Sequence, residues 1–172
     1  MRNVVLIGMP GCGKSTCGVL VAKALCMDFV DTDLVIQQNE GMPLQAIINK
    51  KGNDCFAAAE ETAVCGLVRQ NTVIATGGSV VYSRKAMEHL RESAVVIYLR
   101  VSFDTMLSRI SNMSSRGILL RNGETLNAMF AERNPLYEGY ADRVIDCDEN
   151  AIEATVSAIV RCARSLGEKD RA

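Results

Sequence analysis

"GMPGCGKST", Gly8 to Thr16, sits at the junction between the apolar run VVLI and a stretch of helical period. It matches G-x-x-x-x-G-K-[ST] in the strand-then-helix context that the pattern requires. Gly8, Gly11 and Gly13 let successive backbone N–H groups turn toward phosphate oxygens, and the helix start adds partial positive charge. Lys14 then reaches the terminal phosphates, and Ser15 is placed to ligate a divalent cation. A glycine-rich turn with a chance Lys-Ser pair is the bland alternative, and the flanking strand and helix argue against it. Gly11, Cys12, Gly13, Lys14, Ser15 and Thr16 are therefore the expected nucleotide-binding residues, with ATP and Mg²⁺ as the expected ligands. Cys12 reads as a small filler, although a helix N-terminus can also activate a thiol at such a position.

Outward from this loop, short apolar runs alternate with stretches of helical period, the pattern of parallel strands joined by crossover helices. Strands are expected at Asn3–Gly8, Asp28–Asp31, Thr72–Thr76, Val95–Arg100 and Arg143–Asp146. Helices are expected at Lys14–Leu25, Pro43–Lys50, Phe56–Arg69, Ser83–Arg91, Ser102–Ile110, Glu124–Asn134 and Ala151–Ser165. The predicted fold is α/β, a three-layer sandwich around a five-stranded parallel sheet. Residues 111–122, polar and glycine-containing between two helices, read as a mobile lid segment. At 172 residues, 48% of them hydrophobic, the chain reads as a single domain, 1–172.

Charge and composition remove several partner classes. Lys plus Arg (19) balance Asp plus Glu (20) and are dispersed, so no nucleic-acid footprint is present. No apolar run reaches bilayer-spanning length. A soluble, cytoplasmic, monomeric protein with a small-molecule partner is expected. The seven cysteines form no C-x-x-C pair and only His89 is available beside them, which argues against a metal cluster. Most are expected to be buried small apolar side chains, and His89 is expected to be structural.

Downstream, "FVDTD" (residues 29–33) places Asp31 and Asp33 at the end of the second strand. Alternation points both carboxylates toward the strand's carboxyl end, where open α/β sheets bind ligands. With these residues the sequence resembles the shikimate kinase family, over nearly the whole chain. The resemblance implies that Asp31 helps to hold Mg²⁺ and that Asp33 holds the acceptor hydroxyl. "ATGGSVV" (75–81) is similar to the family's glycine triplet, with Gly77 and Gly78 in place and Ser79 at the third position. "SRGILL" (115–120) is similar to the lid motif, which implies phosphate contact by Arg116, with Gly117 where proline is usual. Arg109 matches the arginine beside adenine. "ERNPLYEGYA" (132–141) resembles the family's R-x-P-L-Y-x-x-x-A, implying that Arg133 contacts an acceptor carboxylate and that Tyr137 is a packing residue. Nucleoside monophosphate kinases and gluconate-type kinases share the phosphate loop, but this last motif favours the shikimate type. Catalysis is thus expected from Lys14, Asp33 and Arg116, with a small hydroxylated acceptor held by Asp33, Glu60, Gly77, Gly78, Ser79 and Arg133. Metal ligation is expected from Ser15, with Asp31 as the resemblance implies.

One element departs from the family. Its pattern G-E-x-x-F-R-x-x-E is here "GNDCFAAAE" (52–60), with Asn53 for the glutamate and Ala57 for the carboxylate-binding arginine. A charge-assisted Arg–carboxylate contact contributes about 1.5–3 kcal/mol, so its loss weakens an acidic acceptor roughly tenfold or more. Glu60 meanwhile keeps its negative charge. Two accounts follow: Arg133, Arg116 or Lys50 supplies the contact and the acceptor is shikimate, or the acceptor is a neutral or amino-bearing hydroxylated metabolite. A non-catalytic nucleotide-binding module is the rival from another class, and retention of Lys14, Asp31, Asp33 and Arg133 argues against it.

Overall fold

The computed structural model describes residues 2–111, 118, 120, 123–148 and 151–169. In chain order these form β1 (Asn3–Ile7), α1 (Lys14–Leu25), β2 (Asp28–Asp31), α2 (Thr32–Glu40), α3 (Leu44–Cys65) and β3 (Thr72–Ala75). A 3₁₀ turn (Val80–Tyr82) leads to α4 (Arg84–Ser93), β4 (Ala94–Arg100), α5 (Phe103–Ser111), α6 (Leu126–Tyr140), β5 (Arg143–Asp146) and α7 (Ile152–Lys169).

The strands make one parallel sheet in the order β2-β3-β1-β4-β5, with Val5 of β1 paired to Ile74 of β3 on one side and Val96 of β4 on the other. β1 and β3 are buried at every residue, and β4 up to Leu99, as their unbroken apolar runs require of strands covered on both faces. α1 packs on α7, while α2 packs on α3 and α3 on α4. The main core gathers around these central strands. A smaller cluster of Ile36, Leu44, Ile47, Phe56 and Ala63 clamps α2 against α3. Among the described residues, no helix is long and apolar enough to cross a membrane.

Several local expectations need correction. The two helices expected at Pro43–Lys50 and Phe56–Arg69 are present as the two segments of α3, separated at Gly52, whose φ 84° and ψ 172° are not helical; the second ends at Cys65 rather than Arg69. α2 was not expected at all. Asp33 lies in its first turn rather than on β2, so strand alternation does not orient the two acids. Asp31 instead serves as the N-cap, its Oδ1 accepting the Asp33 N–H at 3.0 Å. α6 runs through Pro135 to Tyr140, and Ser111, expected to open the lid, closes α5. Three of the seven cysteines, Cys12, Cys17 and Cys147, are buried, while Cys26 and Cys55 are exposed, so burial does not describe most of them. His89 is structural: its Nε2 lies 2.9 Å from the Leu67 carbonyl oxygen.

The turn out of β1 is the tightest point of the fold. Gly8 has φ 143°, and a Cβ there would lie 2.6 Å from the backbone oxygen of Leu99 in β4. Neither the dihedral nor the clash is relieved by a side-chain movement. Gly8→Ala is therefore expected to lower unfolding free energy by about 1–3 kcal/mol, measured by urea denaturation without ligands. A variant as stable as the parent would show that the turn relaxes freely.

Candidate active site

β1 delivers the phosphate loop at the centre of the sheet's carboxyl edge, where α/β folds bind ligands. Gly13 caps α1 in the left-handed region (φ 98°), and neither a capping side chain nor an acid occupies the first turn. The leading N–H groups of α1 are thus left for an anion. Lys14 is 8% exposed, and its ammonium donates to the carbonyls of Gly8 (2.7 Å) and Met9 (2.9 Å). The lysine is folded over its own loop, with Cys12 Sγ 3.5 Å away. Ser15 is half-buried and Thr16 exposed.

A cavity of about 300 Å³ opens beside the loop, walled by Gly11, Gly13 and Thr16 and, across from them, Arg109, Cys147 and Ile152. Arg109 is fixed there because its guanidinium donates to the Cys147 carbonyl at 2.9 Å. The cavity brings Gly11, Cys12, Gly13 and Thr16 together with Arg109, while Lys14 and Ser15 are not in its lining. Sequence reasoning missed Cys147, Ile152 and Thr155. Their spacing carries no signal, since only the pairing of β5 with β4 and the packing of α7 on α1 bring them to the loop.

On the other side of the loop, the segment after β3 gathers the remaining groups. A Cβ on Gly77 would meet Glu60 Oε1 at 2.3 Å and Asp33 Oδ1 at 2.9 Å, so only glycine admits both carboxylates at this point. A Cβ on Gly78 would touch Pro10 of the phosphate loop and lie 3.3 Å from an Arg133 terminal nitrogen. Ser79 is buried, and its hydroxyl donates to Glu60 Oε2 at 2.7 Å. Arg133, 1% exposed, donates from Nε to the Tyr82 hydroxyl (3.2 Å) and lies over that ring at 5.1 Å. One turn on, Tyr137 stacks on Tyr98 and donates to the Gly78 carbonyl at 2.5 Å, so α6 both presents the arginine and pins the glycine segment. Asp31, Asp33, Glu60, Gly77, Gly78, Ser79 and Arg133 are therefore placed around one edge of the sheet. Arg116 and most of the lid segment lie outside the described residues. Asn53, on α3, donates to the Leu120 carbonyl at 2.7 Å, a contact with no sequence signal.

For Mg²⁺ the available donors are hard oxygens, the Ser15 hydroxyl and the Asp31 carboxylate, whose Oδ2 is not engaged in the cap bond. Oxygen ligands in small number suit a cation that keeps waters and substrate phosphates in its shell, and among the described residues no cluster of three His, Cys, Asp or Glu forms a dedicated cage.

A family model described as shikimate kinase matches residues 10–164. The chain belongs to the shikimate kinase family. It is 36% identical to a shikimate kinase of Pseudoalteromonas atlantica, over 92% of this chain and 95% of that one. It is 34% identical to the Vibrio vulnificus enzyme, over 93% and 95%. Among solved structures, the shikimate kinase of Acinetobacter baumannii in complex with shikimate superposes with a TM-score of 0.88 at 28% identity, covering 96% of this chain and 94% of that one. As a member of this kinase family, the protein is a phosphotransferase that uses ATP and an alcohol acceptor.

The family's arginine at position 57 is absent, and the consequence falls on Glu60. Burial pushes its carboxyl up to about 7. The Ser79 hydrogen bond pulls the other way, nearby Asp33 adds to the rise, and Arg133 and Lys14 oppose it. A carboxyl whose folded pKa lies above its unfolded value of 4.5 stabilises the fold fully below about 4.5, and this contribution is lost as pH climbs to about 7. Glu60→Gln retains an acceptor for Ser79 without the titration. Relative to the parent, its unfolding free energy is expected to gain roughly 3 kcal/mol between pH 4.5 and 8, read by urea unfolding at several pH values. A flat difference would show that burial does not raise the Glu60 carboxyl in the folded protein.

Proposed function

We propose that this chain transfers the γ-phosphoryl group of ATP to a hydroxyl of shikimate, with one domain spanning 1–172 carrying both sites. The supporting observation is the convergence of the acceptor-side groups on the phosphate loop: Gly77 abuts Asp33 and Glu60, while Gly78 abuts Pro10 and Arg133. Family membership and the relatives' names support shikimate as the acceptor.

In this reading the N–H groups of Gly11 and Gly13 and the start of α1 hold the nucleotide phosphates. Lys14 exchanges its carbonyl partners at Gly8 and Met9 for phosphate oxygens as ATP enters, then balances charge that grows on the transferring group. Asp33 orients the acceptor hydroxyl and accepts its proton. Arg133 faces the acceptor carboxylate, and Arg116 completes the phosphate clamp from the lid. Arg109 borders the nucleoside. Ser15 and Asp31 would hold Mg²⁺, which when bound screens the phosphate charges. The second account, a neutral or amino-bearing acceptor, is favoured by Ala57 and by the buried charge of Glu60.

The direct test is ATP-dependent phosphorylation of shikimate beside neutral and amino-bearing hydroxylated metabolites. For shikimate, kcat/KM is expected at about 10⁴ M⁻¹s⁻¹ or above. A far lower value, with efficient turnover of a non-acidic metabolite, would replace the acceptor. Two variants test the roles. Lys14→Ala should abolish transfer and leave the fold intact. Asp33→Asn should keep ATP affinity within a few-fold and cut turnover by about 10²–10⁴. A collapse of ATP affinity in Asp33→Asn would instead move this acid to the metal site.

A further inference from the structure

Beside the acceptor groups, a second cavity of about 290 Å³ is lined by Ala57, Ala58, Glu60 and Glu61 of α3 and by Ser79, Tyr82 and Ser83. We propose that this cavity is a binding site for a small organic cation, a guanidinium or alkylammonium group, held by Glu60.

Three observations carry this. Glu60 is 3% exposed; its Oε2 accepts from Ser79, which also lines the cavity, while its Oε1, on the Gly77 side, has no hydrogen-bond partner among the described residues. A buried carboxylate so incompletely satisfied is costly, and a cation paired with it from the cavity lowers that cost. Second, the lining contains two carboxylates, two serine hydroxyls and a tyrosine, and no basic residue. Arg133 lies over Tyr82 and Lys85 comes within 3.7 Å of Glu61, but neither lines the cavity. Third, Ala57 stands one helical turn before Glu60 on the same face of α3, so its methyl group leaves open the space through which a longer side chain would reach the acid. The volume is at the lower end of small-ligand sites, about 300 Å³, and fits a group the size of methylguanidinium against Ala57 and Ala58.

The cation has two possible sources, a free small molecule or an amino group of the acceptor itself. Binding does not depend on the acceptor's identity, whereas any effect on transfer rests on the proposed kinase function. The ionised form of Glu60 is the one that pairs. Affinity is therefore expected to rise with pH from 6 to 8; Asp33, Arg133 and Lys14 are the other charged groups acting on Glu60.

The test is calorimetric or NMR titration of the intact protein with methylguanidinium chloride, with urea as the neutral isostere and sodium chloride as the ionic control. Saturable binding of methylguanidinium alone is expected. Ala57→Arg, which supplies its own guanidinium, and Ala57→Met, which fills the space without charge, should each weaken it at least about tenfold, as should Glu60→Gln. Because position 57 is solvent-exposed, the first two variants should fold. No saturable binding, or binding indifferent to all three substitutions, overturns the site. In the kinase assay, a fall in KM for shikimate on adding methylguanidinium assigns the cation to a free ligand. Competition between methylguanidinium and an amino-bearing acceptor assigns it to the acceptor. Failure to phosphorylate shikimate in a protein that still binds methylguanidinium would refute the acceptor assignment and leave the site standing.

Discussion

Complete burial of β1 between β3 and β4 is the constraint on which the remaining structure depends. A parallel central strand with no exposed residue must be covered on both faces, and its chain can leave only at the sheet's edge. It leaves through Gly8, whose backbone passes so close to Leu99 that no side chain fits. The phosphate loop is thereby held against β4, and the start of α1 points its unpaired N–H groups into the same opening. Neighbouring strands end at this edge too. β3 runs on into Gly77 and Gly78, and β4 into the connection that leads to Arg109 on α5.

Chemistry follows from this convergence. Two groups of side chains flank the phosphate loop, with Arg109 and Cys147 on one side of it and Asp33, Glu60 and Arg133 on the other. Tyr137 couples the two requirements placed on α6, since the same helix that buries Arg133 also ties down the Gly78 carbonyl. Lys14 donates to two carbonyls of its own loop, which partly satisfies its charge.

Glu60 shows how one substitution redistributes polar contacts. With alanine at 57, Ser79 supplies a hydrogen bond to one carboxylate oxygen. The other oxygen stays unpartnered among the described residues, and burial raises the proton affinity of the group. This edge of the sheet therefore carries an acid that is poised between charge states near neutral pH, beside Asp33, Gly77 and Ser79.

Local pattern alone determined the strands, the phosphate loop, α1 and the family, because each depends on short-range spacing: apolar runs of strand length, glycines at fixed intervals, a Lys-Ser pair at a helix start. The R-x-P-L-Y motif was legible for the same reason, with Arg133 and Tyr137 four residues apart on one helical face. Tertiary structure decided the rest. α2 was hidden because its nine residues are only weakly amphipathic and the Asp31 cap reads equally well as a strand end. The break within α3 at Gly52 was legible from the glycine, whereas the packing of both segments into one cluster around Ile47 and Phe56 was not. The walls of the cavity beside the phosphate loop at Cys147 and Ile152, the Asn53–Leu120 contact and the meeting of Asp33 with Glu60 over Gly77 join residues distant in sequence. Only the order of strands in the sheet, set by burial of the central ones, brings these groups within reach of each other.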